Sequence, residues 1–261
     1  MSLNMIYSHD LAIPYSAINI SGKIKPDWLL NQFQDAASYQ CHQLGISGFD
    51  MAPKQLKWVV AQYQIQIHGK LDWLTPITLK TWRAPWKNLY EVRKFSITPI
   101  NGSPIVTATG VWILIKASNS KPVRLSPNIP EHLMESTSQP VDIIKDRQVI
   151  ETPDHESEFQ VRVHDLDLNQ HVNNVVYLRW AVESLPVPHS FTYTPVDCQI
   201  SYLKECFYPD SILSRIKMDF SESGLLTRHS IIGKNNKNLL ANLSIAWEKT
   251  YPADPYGSHE S

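Results

Sequence analysis

Six groups that accept, donate or shuttle protons fall within ten consecutive residues of this chain: Asp165, Asp167, Asn169, His171, Asn173 and Asn174. Carboxylate, imidazole and amide groups at this spacing suit attack on a carbonyl. Such chemistry needs a base or nucleophile, a group that relays a proton near neutral pH, and N–H donors for the oxyanion. A second acid and a thiol follow in Tyr202-Leu203-Lys204-Glu205-Cys206. Asp167 or Glu205 can draw a proton from water or attack directly. His171 can polarise the carbonyl or relay the proton, and Asn169 can orient either partner.

These groups need two elements to position them. Phe159, Val161 and Val163 alternate with polar residues, as in a half-buried strand. Val172, Val175, Val176, Leu178, Trp180, Val182 and Leu185 recur at helical spacing, so a helix is expected over Asn173–Leu185. A helix start carries unpaired N–H groups and the positive end of a dipole. The backbone N–H groups of Asn173 and Asn174 are therefore the candidate oxyanion donors. The plainer alternative is a well-capped helix, because Asp and Asn are preferred at N-caps. Glu183, within the helix, suits a structural hydrogen bond. Further on, a strand expected over Pro195–Cys206 places Val196, Cys198, Ile200, Tyr202 and Cys206 on one apolar face and Glu205 on the other. That parity makes the thiol a buried hydrophobe, favours Glu205 as the working group, and keeps the two from sharing one site.

The chain has 261 residues, 43% hydrophobic and 19% charged, enough for one large domain or two ordinary ones. Net charge is −1, but residues 1–117 hold 11 Lys/Arg against 6 Asp/Glu, and residues 118–261 hold 13 against 19. A basic first half points to a docking face for an acidic partner, with Lys80, Arg83, Lys87, Arg93 and Lys94 gathered around one expected strand pair. Three cysteines and no metal-ligand spacing argue for a reducing compartment and against a disulfide framework or metal site. The first residues have neither a basic n-region nor an apolar h-region, so no secretory leader is expected, and no apolar run is long enough to span a membrane. A cytoplasmic location is expected.

In order, the chain reads as a short strand at Leu11–Ala17, a helix from Pro26 to Leu44 ended by Gly45, and strands near Leu56–His68, Pro76–Trp86, Tyr90–Ile100 and Pro104–Lys116. Asn101-Gly102 is a hairpin turn. The polar, proline-rich stretch 118–157 reads as a linker crossing the surface, with limited structure near Pro130–Glu135. The pattern then repeats: a strand at Phe159–Val163, the helix, and strands near Pro195–Cys206, Ser211–Phe220, Gly224–Gly233 and Leu239–Lys249, with turns at Ser223-Gly224 and Asn235-Asn236. An offset of 148 residues lays Asn19 on Asp167, Lys23 on His171 and Asp35 on Glu183. Only the second copy (158–250) has acid and His at its helix mouth, which leaves the first (1–117) as substrate wall and docking surface. Residues 251–261 read as a frayed tail.

The string Asp165-Leu-Asp-Leu-Asn-Gln-His-Val-Asn-Asn-Val-Val-Tyr177, followed by Trp180 and Glu183-Ser184, closely resembles the acyl-acyl-carrier-protein thioesterases. Tyr202–Cys206 is similar to the same family's Tyr-x-x-Glu-Cys segment. The resemblance implies an α+β fold, a tandem (double) hotdog in which each long helix is wrapped by an antiparallel sheet. It implies hydrolysis of fatty acyl-acyl-carrier protein, releasing the fatty acid and ending its synthesis. It assigns catalysis to Asp167, Asn169, His171, Glu205 and Cys206, with an acyl-carrier protein as partner. No cofactor and no nucleic acid are implied, and a second copy of the chain in a homodimer is the other candidate partner. The alternatives are an acyl-CoA thioesterase, which needs a phosphate pocket, and a non-catalytic acyl-binding hotdog sensor, which could dispense with acid and His.

Overall fold

The computed structural model describes residues 6–134, 141–144, 147–187, 189–222 and 224–250. In the first half, β1 (Ile6–Ala12) and a 3-10 turn (Tyr15–Ala17) precede the helix α1 (Pro26–Gln43) and the short α2 (Gly48–Met51). Strands β2 (Leu56–Ile67), β3 (Pro76–Arg83), β4 (Tyr90–Pro99) and β5 (Val106–Lys116) follow. The second half runs β6 (His155–Gln160), a 3-10 turn (Val163–Asp165), α3 (Asn174–Glu183), the short α4 (His189–Thr192), then β7 (Tyr193–Tyr202), β8 (Ser211–Ser221), β9 (Gly224–Gly233) and β10 (Leu239–Lys249).

The ten strands form one antiparallel sheet in the order β1-β3-β4-β5-β2-β7-β10-β9-β8-β6. The order reads the same from either end once the halves are matched. The halves join where β2 pairs with β7, centred on Gln64 opposite Gln199. α1 and α3 bury their apolar faces against this sheet: Leu29, Leu30, Phe33 and Ala36 from one, Val175, Val176, Leu178 and Ala181 from the other. The Phe33 and Phe95 rings meet at 4.8 Å. One core cluster runs through both halves, so neither half buries its apolar surface alone.

The duplication holds at the level of hydrogen bonds. Lys25 N–H donates to Ala17 O at 2.8 Å, and 148 residues later Asn173 N–H donates to Asp165 O at 2.8 Å. The bridge Ile18↔Ile24 recurs as Leu166↔Val172. Beyond the helices the offset becomes 135, with the start of β3 at Pro76 answering the start of β8 at Ser211. Ile13 N–H to Thr75 O and Val161 N–H to Asp210 O close the two copies alike, at 3.1 and 2.9 Å.

Several boundaries differ from the sequence expectation for identifiable reasons. The first strand lies earlier, at Ile6–Ala12, and Tyr15–Ala17 curls into a 3-10 turn after Pro14, which has no N–H for a ladder. Gly45 takes φ +67° directly after the α1 cap, the left-handed conformation that glycine adopts without strain. α3 stops at Glu183, two residues short of the expected end: Ser184 Oγ donates back to Trp180 O at 2.6 Å, and Pro186 follows. β7 ends at Tyr202, because Leu203 and Lys204 both turn their N–H groups to Leu240 O.

The stretch expected to cross the surface is anchored rather than loose. Leu125, Ile129 and Leu133 are buried with Ile46, Met51, Leu56 and Leu114. Val141 and Ile143 pack on the cluster of Ala84, Val92 and Val111, and Gln62 clamps Asp142 O and Ile144 N–H at 2.9 Å each. Structure near Pro130 is a 3-10 turn at Glu131–Leu133. Glu135, Ser223 and the expected tail 251–261 lie outside the described residues. No helix among the described residues is long and apolar enough to cross a membrane.

Candidate active site

The mouth of α3 is built by a closed loop, Leu166 to Val172. Asp167 N–H donates to His171 O at 2.8 Å, and Gln170 adopts φ 62° to turn the chain. The Asp167 carboxylate then fastens the loop from inside. Its Oδ1 accepts from Asn169 N–H (2.8 Å) and, at 3.4 Å, from His171 N–H, while Oδ2 accepts from the Asn169 amide at 3.3 Å. The first copy forms the same loop with a neutral side chain: Asn19 Oδ1 accepts from Ser21 and Lys23 N–H at 2.9 Å each. An amide oxygen is thus enough for the fold, and the negative charge of Asp167 is surplus to it.

The His171 side chain reaches a second acid. His171 Nδ1 lies 3.5 Å from Glu205 Oε1, with the two side chains 22% and 39% exposed. The Phe207 ring stands edge-on to the imidazole at 5.0 Å. Glu205 Oε1 also accepts from Lys57 Nζ of β2 at 3.0 Å, so the first half contributes a cation to the second half's mouth. The structure therefore gathers four of the five sequence candidates: Asp167, Asn169, His171 and Glu205.

Cys206 stands apart. It is 1% exposed, and its Sγ faces Asp210 Oδ2 at 3.7 Å. Burial, with the Asp210 carboxylate beside it, pushes the thiol up to about 12. A thiol held this high is a poor nucleophile. The strand parity that separated it from Glu205 does not apply, since both residues lie beyond the end of β7. The separation comes instead from the turn: Cys206 O accepts from Val172 N–H at 2.9 Å, and the side chain tucks under the mouth.

The two expected oxyanion donors also part. Asn173 is the N-cap, its Oδ1 accepting from Val175 N–H at 3.0 Å. Its own N–H is already given to Asp165 O, so it is not free to hold an oxyanion. Asn174 N–H, the first of α3, has no partner among the described residues and remains as donor. α1 steadies both side chains through Gln34, which donates to Asn173 Oδ1 and accepts from Asn174 Nδ2 at 3.3 Å each. Tyr202 Oη donates to Asn174 O at 3.1 Å. Beneath them, burial raises the Tyr177 phenol, which stays a neutral donor toward Lys204 O at 3.4 Å.

Sequence reading missed Lys57 and Gln34. Neither carries a local signal: they arrive through the β2–β7 joint and the α1–α3 contact. The expected docking cluster is corrected in part. Arg83 is buried in a two-point pair with Glu91 (2.6 Å each) and also donates to Leu133 O. Arg93 is buried too, donating to Gln40 Oε1 at 2.6 Å and toward Cys41 Sγ at 3.1 Å. Neither can meet a partner's surface. Lys94 is half-buried on Thr109 Oγ1. Lys80 is exposed, and Lys87 is exposed with its Nζ 4.2 Å above the Trp86 ring. The cavities of about 610, 640 and 550 Å³ are lined by residues other than the His171 cluster.

Comparisons with known proteins give the chain's family. The chloroplastic acyl-[acyl-carrier-protein] hydrolase FATB1 of Cuphea viscosissima is 25% identical over 234 residues, covering 84% of this chain and 56% of that protein. The chain spans about half the length of the curated relatives it matches. The structure of the 12:0-ACP thioesterase from Umbellularia californica superposes with a TM-score of 0.81 at 19% identity over 95% of each chain. That of an acyl-ACP thioesterase from Bacteroides thetaiotaomicron gives 0.78 at 18% identity, covering 95% of this chain and 100% of that one; at these identities both speak for the fold alone. The family model of the acyl-ACP thioesterase N-terminal domain matches residues 4–133 and that of the C-terminal domain residues 150–249, and the chain belongs to the acyl-ACP thioesterase family.

Proposed function

We propose that this chain hydrolyses the thioester joining a fatty acyl group to an acyl-carrier protein, at the mouth of α3. The observation that carries the reading is the charge of Asp167, present on a loop that closes equally well in the first copy with Asn19. Asp167 takes a proton from water, with Asn169 orienting the carboxylate, and the water oxygen adds to the thioester carbonyl carbon. Asn174 N–H at the positive end of α3 stabilises the resulting oxyanion. Collapse breaks the C–S bond, and the proton held by Asp167 passes to the departing thiolate through His171. Glu205 holds His171 in place and is itself held by Lys57. Free fatty acid and carrier thiol leave, and Asp167 is restored.

In this reading the fold is a tandem hotdog. Residues 1–117 form the wall-building copy, 118–157 the connection and 158–250 the reacting copy. The carrier's arm must reach the His171 mouth, so docking belongs around it. Arg162 (side chain 72% exposed, its Nε 3.8 Å from Asp165 Oδ2) and Lys204 supply positive charge on the segments flanking the loop, on which Leu168 is 92% exposed. Lys80 and Lys87 remain as outlying cations. The test is turnover of a fatty acyl-carrier substrate beside the matching acyl-CoA, by wild type and Asp167→Asn. Faster turnover of acyl-CoA, or an unimpaired variant, would overturn the proposal.

A further inference from the structure

The repeat maps the reacting mouth onto a second one whose charge is inverted. At the offset of 148, Lys23 stands where His171 stands and Asn19 where Asp167 stands. At the offset of 135, Lys70 answers Glu205 and Leu71 answers Cys206, with Leu71 and Cys206 both 1% exposed. The loop geometry is kept, but an acid-and-imidazole site has become a lysine site. It also opens on a cavity of about 610 Å³. The walls are mixed, with Ile67, Leu71 and Trp247 alongside His68, Thr194 and Ser221, and Lys23 lies on the lining. Lys70 is engaged with Asp72 at 2.7 Å and Glu248 sits exposed on the lining. Lys23 makes no ion pair among the described residues. A cation beside a chamber of this size, with an apolar wall at Ile67, Leu71 and Trp247, suits a ligand with one anionic head and one hydrocarbon tail.

We infer that the first copy's mouth is a binding site for a fatty acid, carboxylate on Lys23 and chain along the Ile67–Leu71 and Trp247 walls. Thioester cleavage is not expected there, because the amide of Asn19 and the amine of Lys23 stand where Asp167 and His171 stand in the second copy. The choice of a carboxylate over other anionic heads rests on the proposed hydrolysis, whose product it would be. The site then samples released product without occupying the reacting mouth.

Calorimetric titration of the full chain with dodecanoate and with dodecanol tests this. Dodecanoate should bind the wild type, and dodecanol about tenfold or more weakly, the scale of one charge-assisted contact. Lys23→Met should weaken dodecanoate about tenfold, Lys23→Glu further, with dodecanol unchanged and melting temperatures within a few degrees of wild type. Asp167→Asn should bind dodecanoate as the wild type does. Absent dodecanoate binding, equal binding of the alcohol, or insensitivity to both Lys23 variants would overturn the inference. So would loss of binding in Asp167→Asn, which would place the ligand in the reacting mouth. A wild type that binds dodecanoate as expected yet hydrolyses no acyl-carrier thioester would overturn the proposed function and leave this site standing.

Discussion

Replacing Cys206 separates a water-based reaction from a covalent one. The thiol is 1% exposed, faces Asp210 and is pushed up to about 12, chiefly by burial. At pH 7.5 that leaves about one thiolate in 10⁴ or fewer, against about one in ten for an ordinary Cys. A nucleophilic role would therefore start from a reactive fraction about a thousandfold smaller than a free thiol offers. Cys206→Ala should keep kcat within about threefold of wild type, while losing about 1 kcal/mol of stability for a vacated buried atom. Glu205→Ala should lower kcat by about tenfold to a hundredfold, because His171 loses the carboxylate 3.5 Å from Nδ1. Steady-state hydrolysis of an acyl-carrier thioester gives both values, and intact-protein mass spectrometry of quenched reactions looks for an acyl adduct. An acyl-Cys206 species, or a folded Cys206→Ala variant a hundredfold slower with Glu205→Ala near normal, would refute the reasoning.

The remaining expectations concern docking and pH. Reversing Arg162 and Lys204 to Glu should raise KM for an acyl-carrier substrate several-fold with kcat little changed. The defect should shrink as salt rises and exceed that of the same reversals at Lys80 and Lys87; equal losses on a carrier-free short acyl thioester would assign these residues to the fold instead. His229 is fully buried, its Nε2 2.7 Å from Thr227 Oγ1, and burial lowers it to about 3. Its neutral form is the folded one, so an unfolded chain takes up the proton first as pH falls below about 6.5. Denaturant unfolding should therefore show stability falling between about pH 6.5 and 3, by up to about 1.4 kcal/mol per unit more than in His229→Gln. Equal slopes would mean that the ring is charged, or reached by water, in the folded state.

The candidate mouth was legible because its parts are local. Asp167, Asn169, His171 and the cap Asn173 lie on one loop and one helix start, and the helical periodicity after them fixes where that loop must end; the strand expected at Phe159–Val163 lies earlier, at His155–Gln160, with Val163 exposed in the 3-10 turn. Element order was legible for the same reason, as was the duplication, whose 148-residue offset reappears as matched backbone hydrogen bonds around Asn19 and Asp167. What escaped was set by tertiary contact. Lys57 reaches Glu205 only because β2 pairs with β7, and Gln34 reaches Asn173 only because α1 lies against α3. The strand rule failed at Cys206 because β7 ends four residues earlier on Leu240 O. Arg83 and Arg93 looked like surface charge because composition alone does not show Glu91 or Gln40 waiting for them inside.

The central claim is that the charge of Asp167 does chemistry. Asp167→Asn keeps the oxygen that accepts from Asn169 and His171 N–H, as Asn19 does in the first copy, and removes the charge together with the 3.3 Å bond from the Asn169 amide to Oδ2. Turnover of an acyl-carrier thioester by this variant should fall by about 10²-fold or more with melting temperature unchanged, while Asn19→Asp should turn over as the wild type does. Wild-type turnover in Asp167→Asn would contradict the account and leave Asp167 as a loop fastener.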